Sequence, residues 1–570
     1  MGIKIQLSGK LNYHLLFMSA AIITPLEKFY HFELLKSNQT FLRQAHQSQW
    51  IHYSWKRVGS EVRSMAAYIQ SLKLPKQSKI AILSENCAHW IMADLAIMMS
   101  GHISVPLYPT LSGDVLNYCL EHSEAKILFV GKASKWELQK KNIPEEILKI
   151  HFPYWEQEDC ENWDTLIKDK APLVKNFITA LDDIATIIYT SGTTGLPKGV
   201  VHNFRALSSA PTWLLDEISR LGLLTDNERF LSFLPLSHIA ERMLVEMGGL
   251  YAGAPISIAE SIEKMPDNLR DTQPTVFLAV PLIWTRMQNK ILQRLPQKRL
   301  GVLLKLPIIG EMVKKKIKEQ AGLSAAKFII SGAAPIPVAL LEWYNHLGIE
   351  IFEAYGMTEN CAYSHGNRPG ERKIGTVGIT MPNVLCKISE DGEILVKSDC
   401  TMVGYYKEDQ KTKEAITDTG FLRTGDMGEI DEDGYLKITG RIKELFKTDK
   451  GKYIAPAPIE LELSKNPHIA QICVVGANLK QPMALVVLEE YAEQNREAIE
   501  NNLLVTLDDV NTNLDNHERI TKFVILREAW TVENNLITPT MKVKRNELEK
   551  KYTTQFLKWQ EIKDKQLVWE

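Results

Sequence analysis

A short β-branched run, Ile184-Ala185-Thr186-Ile187-Ile188, passes directly into Tyr189-Thr190-Ser191-Gly192-Thr193-Thr194-Gly195-Leu196-Pro197-Lys198-Gly199. The first half predicts a buried strand, because branched apolar side chains suit a pleated, packed surface. The second half cannot belong to a core. Its glycines let backbone N–H groups approach an anion, its hydroxyls add donors, and Lys198 supplies a positive charge. A phosphate-holding loop at the carboxyl end of a strand is where α/β folds place ligands.

The familiar nucleotide loop is excluded by spacing. A Walker A loop needs G-x-x-x-x-G-K-[ST], and here Lys198 follows Pro197 and precedes Gly199. A polar surface turn accounts for any four of these residues, but poorly for eleven in this order.

The surrounding chain agrees with an α/β class. Lys79–Leu83, Lys126–Val130, Thr275–Val280 and Lys327–Ile330 are short apolar runs between helix-like stretches, the pattern of parallel βαβ units. After about residue 385 closely spaced strands and turns suggest a small β-rich subdomain, with Asp431-Glu432-Asp433-Gly434 as a hairpin turn. Beyond Gly440-Arg441 mixed strands and helices return, including Gln471–Val475 and Met483–Val487 as strands. A chain of 570 residues is too long for one core.

Charge and cysteine narrow the function classes. Lys plus Arg number 67 against 69 Asp plus Glu, so no global attraction to nucleic acid exists. Seven scattered cysteines with no C-x-x-C argue against a disulfide framework and a zinc site, and for a reducing compartment. Lys4 and Lys10 precede an apolar stretch from Tyr13 to Ile23, in the outline of a signal peptide but without a following A-x-A site. A weak surface anchor or an unpacked leader is the preferred expectation. No apolar run reaches the roughly 18 residues of a spanning helix.

Further segments carry chemistry in order. Leu234-Pro235-Leu236-Ser237-His238-Ile239-Ala240-Glu241-Arg242 holds a histidine, which alone would more often be structural. Ser331-Gly332-Ala333-Ala334-Pro335 follows one strand, and Glu353-Ala354-Tyr355-Gly356-Met357-Thr358-Glu359 ends the next. Small residues let an aromatic base lie against backbone, Tyr355 offers a stacking face, and Glu359 offers a hard oxygen for Mg²⁺. Then come Thr417-Asp418-Thr419-Gly420-Phe421-Leu422-Arg423-Thr424-Gly425-Asp426, Gly440-Arg441-Ile442-Lys443-Glu444, and Thr538-Pro539-Thr540-Met541-Lys542-Val543-Lys544-Arg545.

Taken in order, these segments resemble the signatures of the AMP-forming adenylate-forming superfamily, and most closely its long-chain fatty acyl-CoA synthetases, from about Phe29 onward. The resemblance implies a large N-terminal adenylation domain (29–440) of α/β subdomains plus a small β-rich subdomain. After it come a hinge (441–443) and a small, mobile α+β C-terminal domain (444–570), with residues 1–28 as a leader. It implies ATP or AMP binding by Thr190, Ser191, Gly192, Thr193, Thr194, Gly195, Lys198, Gly332, Ala333, Tyr355, Gly356, Thr358, Asp426, Arg441 and Lys443. Catalytic roles fall to Lys542, His238 and Lys198, and Mg²⁺ to Thr190 and Glu359. Asp426 is expected to accept from both ribose hydroxyls, a task for an ionised carboxylate. His238 is expected at the mouth of the acyl pocket and Lys443 as the pivot.

Two departures qualify that resemblance. Arg423 stands where the family more often has histidine, and Met541 where many relatives have glycine, which keeps Lys544 as a substitute for Lys542. The implied reaction joins a fatty acid to coenzyme A at the expense of ATP, in the cytoplasm. Transfer to a carrier protein's pantetheine, a non-catalytic nucleotide-binding protein, and a luciferase-like oxidation are the alternatives. A basic stretch from Arg286 to Lys318 reads first as a solvated helix face, and second as a patch for peripheral contact with the inner membrane face. Oligomeric state has no signature here.

Overall fold

The computed structural model describes residues 21–155, 157–190, 196–489, 496–531, 534–538, 542–562 and 565–570. The first helix, Pro25–Leu35, begins at a capping box in which Thr24 and Glu27 bond reciprocally, with proline at the first turn. It places Leu26 and Phe29 fully in the core, so ordered packing starts ahead of Phe29.

Three sheets make the large body. The largest has eight strands, in the order Gly404–Tyr405, Lys198–Asn203, Ile184–Thr190, Ile103–Leu107, Lys79–Leu83, Ile127–Val130, Leu148–His151 and Glu161–Asn162. Its centre is parallel, with Lys79–Leu83 in register against Ile103–Leu107 on one side and Ile127–Val130 on the other. A second sheet runs Val276–Ala279, Phe328–Ser331, Phe352–Tyr355, His365–Gly366 and Ile379–Thr380, its first three strands parallel. A third joins Phe230–Ser232 and Ile256–Ile258 to the hairpin Thr40–His46 and Gln49–Ser54. The helix Ala88–Met99 is buried on every side, which its sequence AHWIMADLAIMM permits because only His89 and Asp94 are polar.

The predicted strand over 184–188 extends to Thr190, and the chain beyond the loop forms a second strand beside it. Lys198–Asn203 returns antiparallel beside it, with Thr190 opposite Lys198 and Tyr189 opposite Gly199. The phosphate-loop motif therefore caps a β-hairpin whose two ends are fixed by strand pairing. Ser191, Gly192, Thr193, Thr194 and Gly195 lie outside the described residues.

The β-rich texture after residue 385 is an antiparallel sheet of Leu385–Ile388, Glu393–Lys397, Leu422–Ile430 and Leu436–Arg441. The expected turn closes it: Gly434 N–H donates to Asp431 O at 3.0 Å. After a single 3₁₀ turn, Ile442–Glu444, comes a last sheet of Ile469–Val475, Met483–Leu488, Phe523–Leu526 and Leu567–Trp569. It carries an apolar cluster on each face, one under helix Arg496–Thr512 and the other under Arg545–Glu561. All seven cysteines are unpaired. Among the described residues no helix is long and apolar enough to cross a membrane.

Candidate functional site

The site is assembled where strand ends of the two larger sheets meet the small sheet and the C-terminal hairpin. Lys198 opens its strand directly after the loop, and its ammonium lies 4.7 Å from the ring centroid of Tyr405, a cation–π contact. Loss of hydration, then Lys443 and Lys411, hold its pKa below the usual lysine range. Lys443, in the turn between the sheets, therefore projects its field into the same cleft. Tyr405 also donates to Glu359 Oε1 at 2.9 Å, which brings the lysine and the carboxylate to one phenol.

Glu359 sits in a 3₁₀ turn, Thr358–Asn360, that starts just past Tyr355. Two features fix this turn. A Cβ at Gly356 would meet the Ala362 carbonyl carbon at 2.4 Å, so only glycine lets the chain fold back this closely. His202, buried on the returning strand, donates from Nε2 to Thr358 O at 2.7 Å while Cys361 Sγ lies 3.4 Å from Nδ1. Because a carbonyl only accepts, Nε2 carries the proton. Burial lowers the imidazole's pKa to about 4, keeping it neutral.

Gly332 and Ala333 leave the neighbouring strand Phe328–Ser331, and Ala333 takes φ +65°. An L-residue there is strained, a state found mainly where function holds it.

Tyr355 and Asp426 form the floor. Tyr355 Oη donates to Asp426 Oδ2 at 2.6 Å, and Arg441 Nε donates to Oδ1 at 2.8 Å. Both oxygens thus hold one protein donor, and a carboxylate has lone pairs for more. Burial and the adjacent carboxylate push the Tyr355 phenol well above its usual range. Arg423 has its own place: it donates to Glu393 Oε2 at 2.9 Å, while Glu393 Oε1 accepts Gly425 N–H at 3.0 Å. The arginine thereby steadies the carboxylate that shapes the turn before Asp426.

His238 caps the short helix Ile239–Glu241, its Nδ1 accepting from Ala240 N–H at 3.2 Å. The neutral ring therefore carries its proton on Nε2. Burial, followed by the charge of Lys542, depresses its pKa to about 3. The segment ahead of it is held by Asn86, which donates from Nδ2 to Ser232 Oγ and Leu234 O and accepts from Leu236 N–H at 3.0 Å. Beyond it, Arg242 is fully buried and donates to both oxygens of Asp94, at 2.8 and 2.7 Å, and to Thr186 Oγ1 at 2.7 Å. Thr186 belongs to the strand that delivers the loop, so Arg242 ties the histidine segment to it. Arg242 opens a π-helical turn, Arg242–Met247, a geometry frequent at functional sites.

Lys542 reaches the cleft from the opposite side. Thr538 N–H donates to Lys542 O at 2.7 Å and Lys542 N–H to Thr538 Oγ1 at 3.0 Å, closing a hairpin in which Ile537 bridges Val543. The side chain is open to water along the cleft yet ringed by protein. Lost hydration and then Arg441 lower its pKa to about 8, against the pull of Asp426, Glu444 and Glu359. Lys544 points elsewhere, donating to Asn535 Oδ1 at 2.5 Å within its own domain. Pro539, Thr540 and Met541 lie outside the described residues.

Sequence reasoning singled out Lys198, His238, Tyr355, Glu359, Asp426, Arg441, Lys443 and Lys542, and the structure links them through hydrogen bonds, a cation–π contact and shared electrostatic fields. It missed Asn86, His202, Asp94 and Glu393, and gave Arg242 no role. Only Asp94 had a signal, as the one acid inside the apolar helical stretch Ala88–Met99.

Residues 36–406 match the family model of AMP-binding enzymes, and residues 445–558 that of the AMP-binding enzyme C-terminal domain. Among curated proteins, the long-chain-fatty-acid–CoA ligase FadD15 of Mycobacterium bovis is 29% identical over 89% of this chain and 92% of its own. The human long-chain-fatty-acid–CoA ligase 1 is 28% identical over 89% of this chain and 82% of its own. Among solved structures, the adenylation domain of a carboxylate reductase from Mycobacterium chelonae superposes with a TM-score of 0.79 at 18% identity, covering 95% of this chain and 92% of that one. The anthranilate CoA ligase AuaEII, solved with anthranoyl-AMP, superposes at 0.76 and 19% identity, covering 94% and 98%. With more than half its length in the first family model, its fold shared with adenylating enzymes and its motif residues linked to one another, this chain belongs to the AMP-binding enzyme family.

Proposed function

We propose that this protein activates a long-chain fatty acid with ATP and passes the acyl group to coenzyme A, releasing AMP and pyrophosphate. The observation that carries this reading is the position of Lys542: a lysine of the C-terminal hairpin shares its field with Arg441 and Asp426 of the small sheet and with Glu359 and His238 of the large body. The names of the curated relatives supply the substrate class.

A carboxylate does not acylate a thiol, because oxide would have to leave. In the first step a carboxylate oxygen bonds to the α-phosphorus of ATP while the bond to the bridging oxygen breaks and pyrophosphate departs. Lys542 and Lys198 place positive charge where that step gathers negative charge. Neutral His238, with its proton on Nε2, offers a donor to the substrate carboxylate without pairing with it as an ion. Tyr355 and the small residues Gly332, Ala333 and Gly356 form the adenine seat, with the backbone of Thr358 at its edge. Asp426 and Arg441 hold the ribose. Glu359 and Thr190 are hard oxygen donors of the kind Mg²⁺ takes, next to the loop ends and Lys198; bound there, the ion would neutralise phosphate charge.

In the second step the thiol sulfur bonds to the acyl carbon, AMP leaves with the electron pair, and the thiol proton passes to solvent. Lys542 has no task in it. A turn of the C-terminal domain (444–570) against the adenylation domain (29–440), about a hinge at 441–443 with Lys443 as pivot, would withdraw Lys542 and admit the thiol.

Pyrophosphate release with carboxylic acids of graded chain length, with and without coenzyme A, tests the reading. Release with long-chain acids and acyl-CoA formation when coenzyme A is present are expected. No release with any carboxylate would overturn it, and arrest at the adenylate with coenzyme A present would point to a carrier-protein thiol.

A further inference from the structure

Five of the 21 large apolar side chains exposed among the described residues fall within residues 302–312: Val302, Leu306, Ile308, Ile309 and Met312. Ile308 is 79% exposed and Met312 67%. They lie on two consecutive helices, Gln297–Leu304 and Pro307–Gln320, and on the link between them. Residues 305–309, Lys-Leu-Pro-Ile-Ile, are exposed without interruption. Solvated helix faces do not normally concentrate apolar groups this way.

The helix pair is firmly built on its other side. Leu300 and Ile317 are buried, with Leu304 and Val313 packed against the same cluster. A Cβ at Gly310 would meet Leu304 O at 2.9 Å, so glycine lets the second helix close on the end of the first. Trp343 Nε1 donates to Gln297 Oε1 at 2.9 Å and pins the start of the pair to the body. The apolar outer surface is therefore a fixed face.

Charge identifies what this face meets. Residues 294–320 contain eight cations, Arg294, Lys298, Arg299, Lys305, Lys314, Lys315, Lys316 and Lys318, against two acids, Glu311 and Glu319, which pair with Lys314 and Lys316. In a chain with a formal net charge of −2, that concentration is local. Apolar tips flanked by lysine and arginine match the interface of an anionic phospholipid bilayer, with side chains entering the acyl boundary and cations meeting phosphates. Behind the face, the inner side of the helix pair shares a core with the segment that carries His238. Helix Pro281–Arg294 leaves the end of the strand Val276–Ala279 and runs to this helix pair. One apolar cluster joins Phe233 and Leu234, just ahead of His238, through Trp284 to Leu300 and Leu304.

We propose that the outer face of residues 302–312, with its flanking lysines, docks the protein on an anionic bilayer surface. That the docked enzyme takes its long-chain acid from that surface rests on the function proposed above.

Flotation of the full chain with phosphatidylcholine vesicles and with vesicles also containing phosphatidylglycerol tests the docking. Two variants, Ile308→Asp with Met312→Asp and Lys315→Glu with Lys316→Glu, change exposed side chains, and unchanged melting temperatures would show them folded. The wild type is expected to float with the anionic vesicles about ten-fold better than with the zwitterionic ones, losing this at high salt, and each variant to lose about ten-fold. Pyrophosphate release with a short, freely soluble fatty acid stays unchanged in both. Equal flotation of wild type and both variants overturns the docking. So does a wild-type dimer that the Asp variant splits without loss of flotation, which would make the face a contact between copies. Vesicle binding lost in the variants of a protein that activates no carboxylate would support the docking and reject the ligase reading.

Discussion

Tyr355 Oη and Asp426 Oδ2 are 2.6 Å apart, linking the end of a parallel strand in the large body to the small sheet that leads into the 3₁₀ turn Ile442–Glu444. The same carboxylate receives Arg441, the last residue before the 3₁₀ turn, so one buried aspartate joins three strands of the candidate site.

Replacing Tyr355 by phenylalanine removes that donor and leaves the rest of the ring. The expected cost is about 1.5–3 kcal/mol in stability, the range for a hydrogen bond to a charged group, with a rise of about ten-fold in KM for ATP. Chemical denaturation and ATP titration check it; an unchanged KM would separate Tyr355 from nucleotide binding.

Arg242 and Asp94 make a different kind of pair, both completely buried. Arg242→Met strands the Asp94 charge and is expected to destabilise the protein by about 3–5 kcal/mol, while adding Asp94→Asn recovers part of the loss. Denaturation midpoints of the two single variants and the double variant measure the coupling. Additive effects would show that the pair does not act as a unit.

Lys542 sets a pH limit. Its ammonium, the form that meets phosphate, has a folded-state pKa lowered to about 8, so charge is present below that value and lost as pH rises through it. In kcat/KM, which reports the free enzyme, the adenylation step is expected to fall about ten-fold per pH unit above this limit. Thioester formation from supplied acyl-adenylate lacks the limb. The two profiles, measured separately, distinguish Lys542 from a general alkaline loss of structure.

Much of the site was legible because its chemistry is written in short segments. Lys198, Tyr355, Glu359 and Asp426 each sit within a run whose glycines, hydroxyls and charges mark a ligand loop. Their supports were not legible, since each bond joins distant residues: His202 to Thr358, Asn86 to Leu236, Arg242 to Asp94. No local pattern encodes such a pairing. The hairpin after Ile184–Thr190 was hidden for a related reason, as a strand run states its burial but not the direction of its neighbour. Sequence favoured Lys542 and kept Lys544, two residues on, as a substitute. In the fold Lys544 is taken by Asn535, while Lys542 feels the charges of Arg441, Asp426 and Glu359.

The central claim is that Lys542 serves adenylation alone. The direct measurement is Lys542→Ala assayed in two half-reactions, pyrophosphate release from ATP and fatty acid, and acyl-CoA formation from synthetic acyl-adenylate. The account predicts that the first is abolished and the second largely kept. Equal loss of both, or an unimpaired first step, would contradict it.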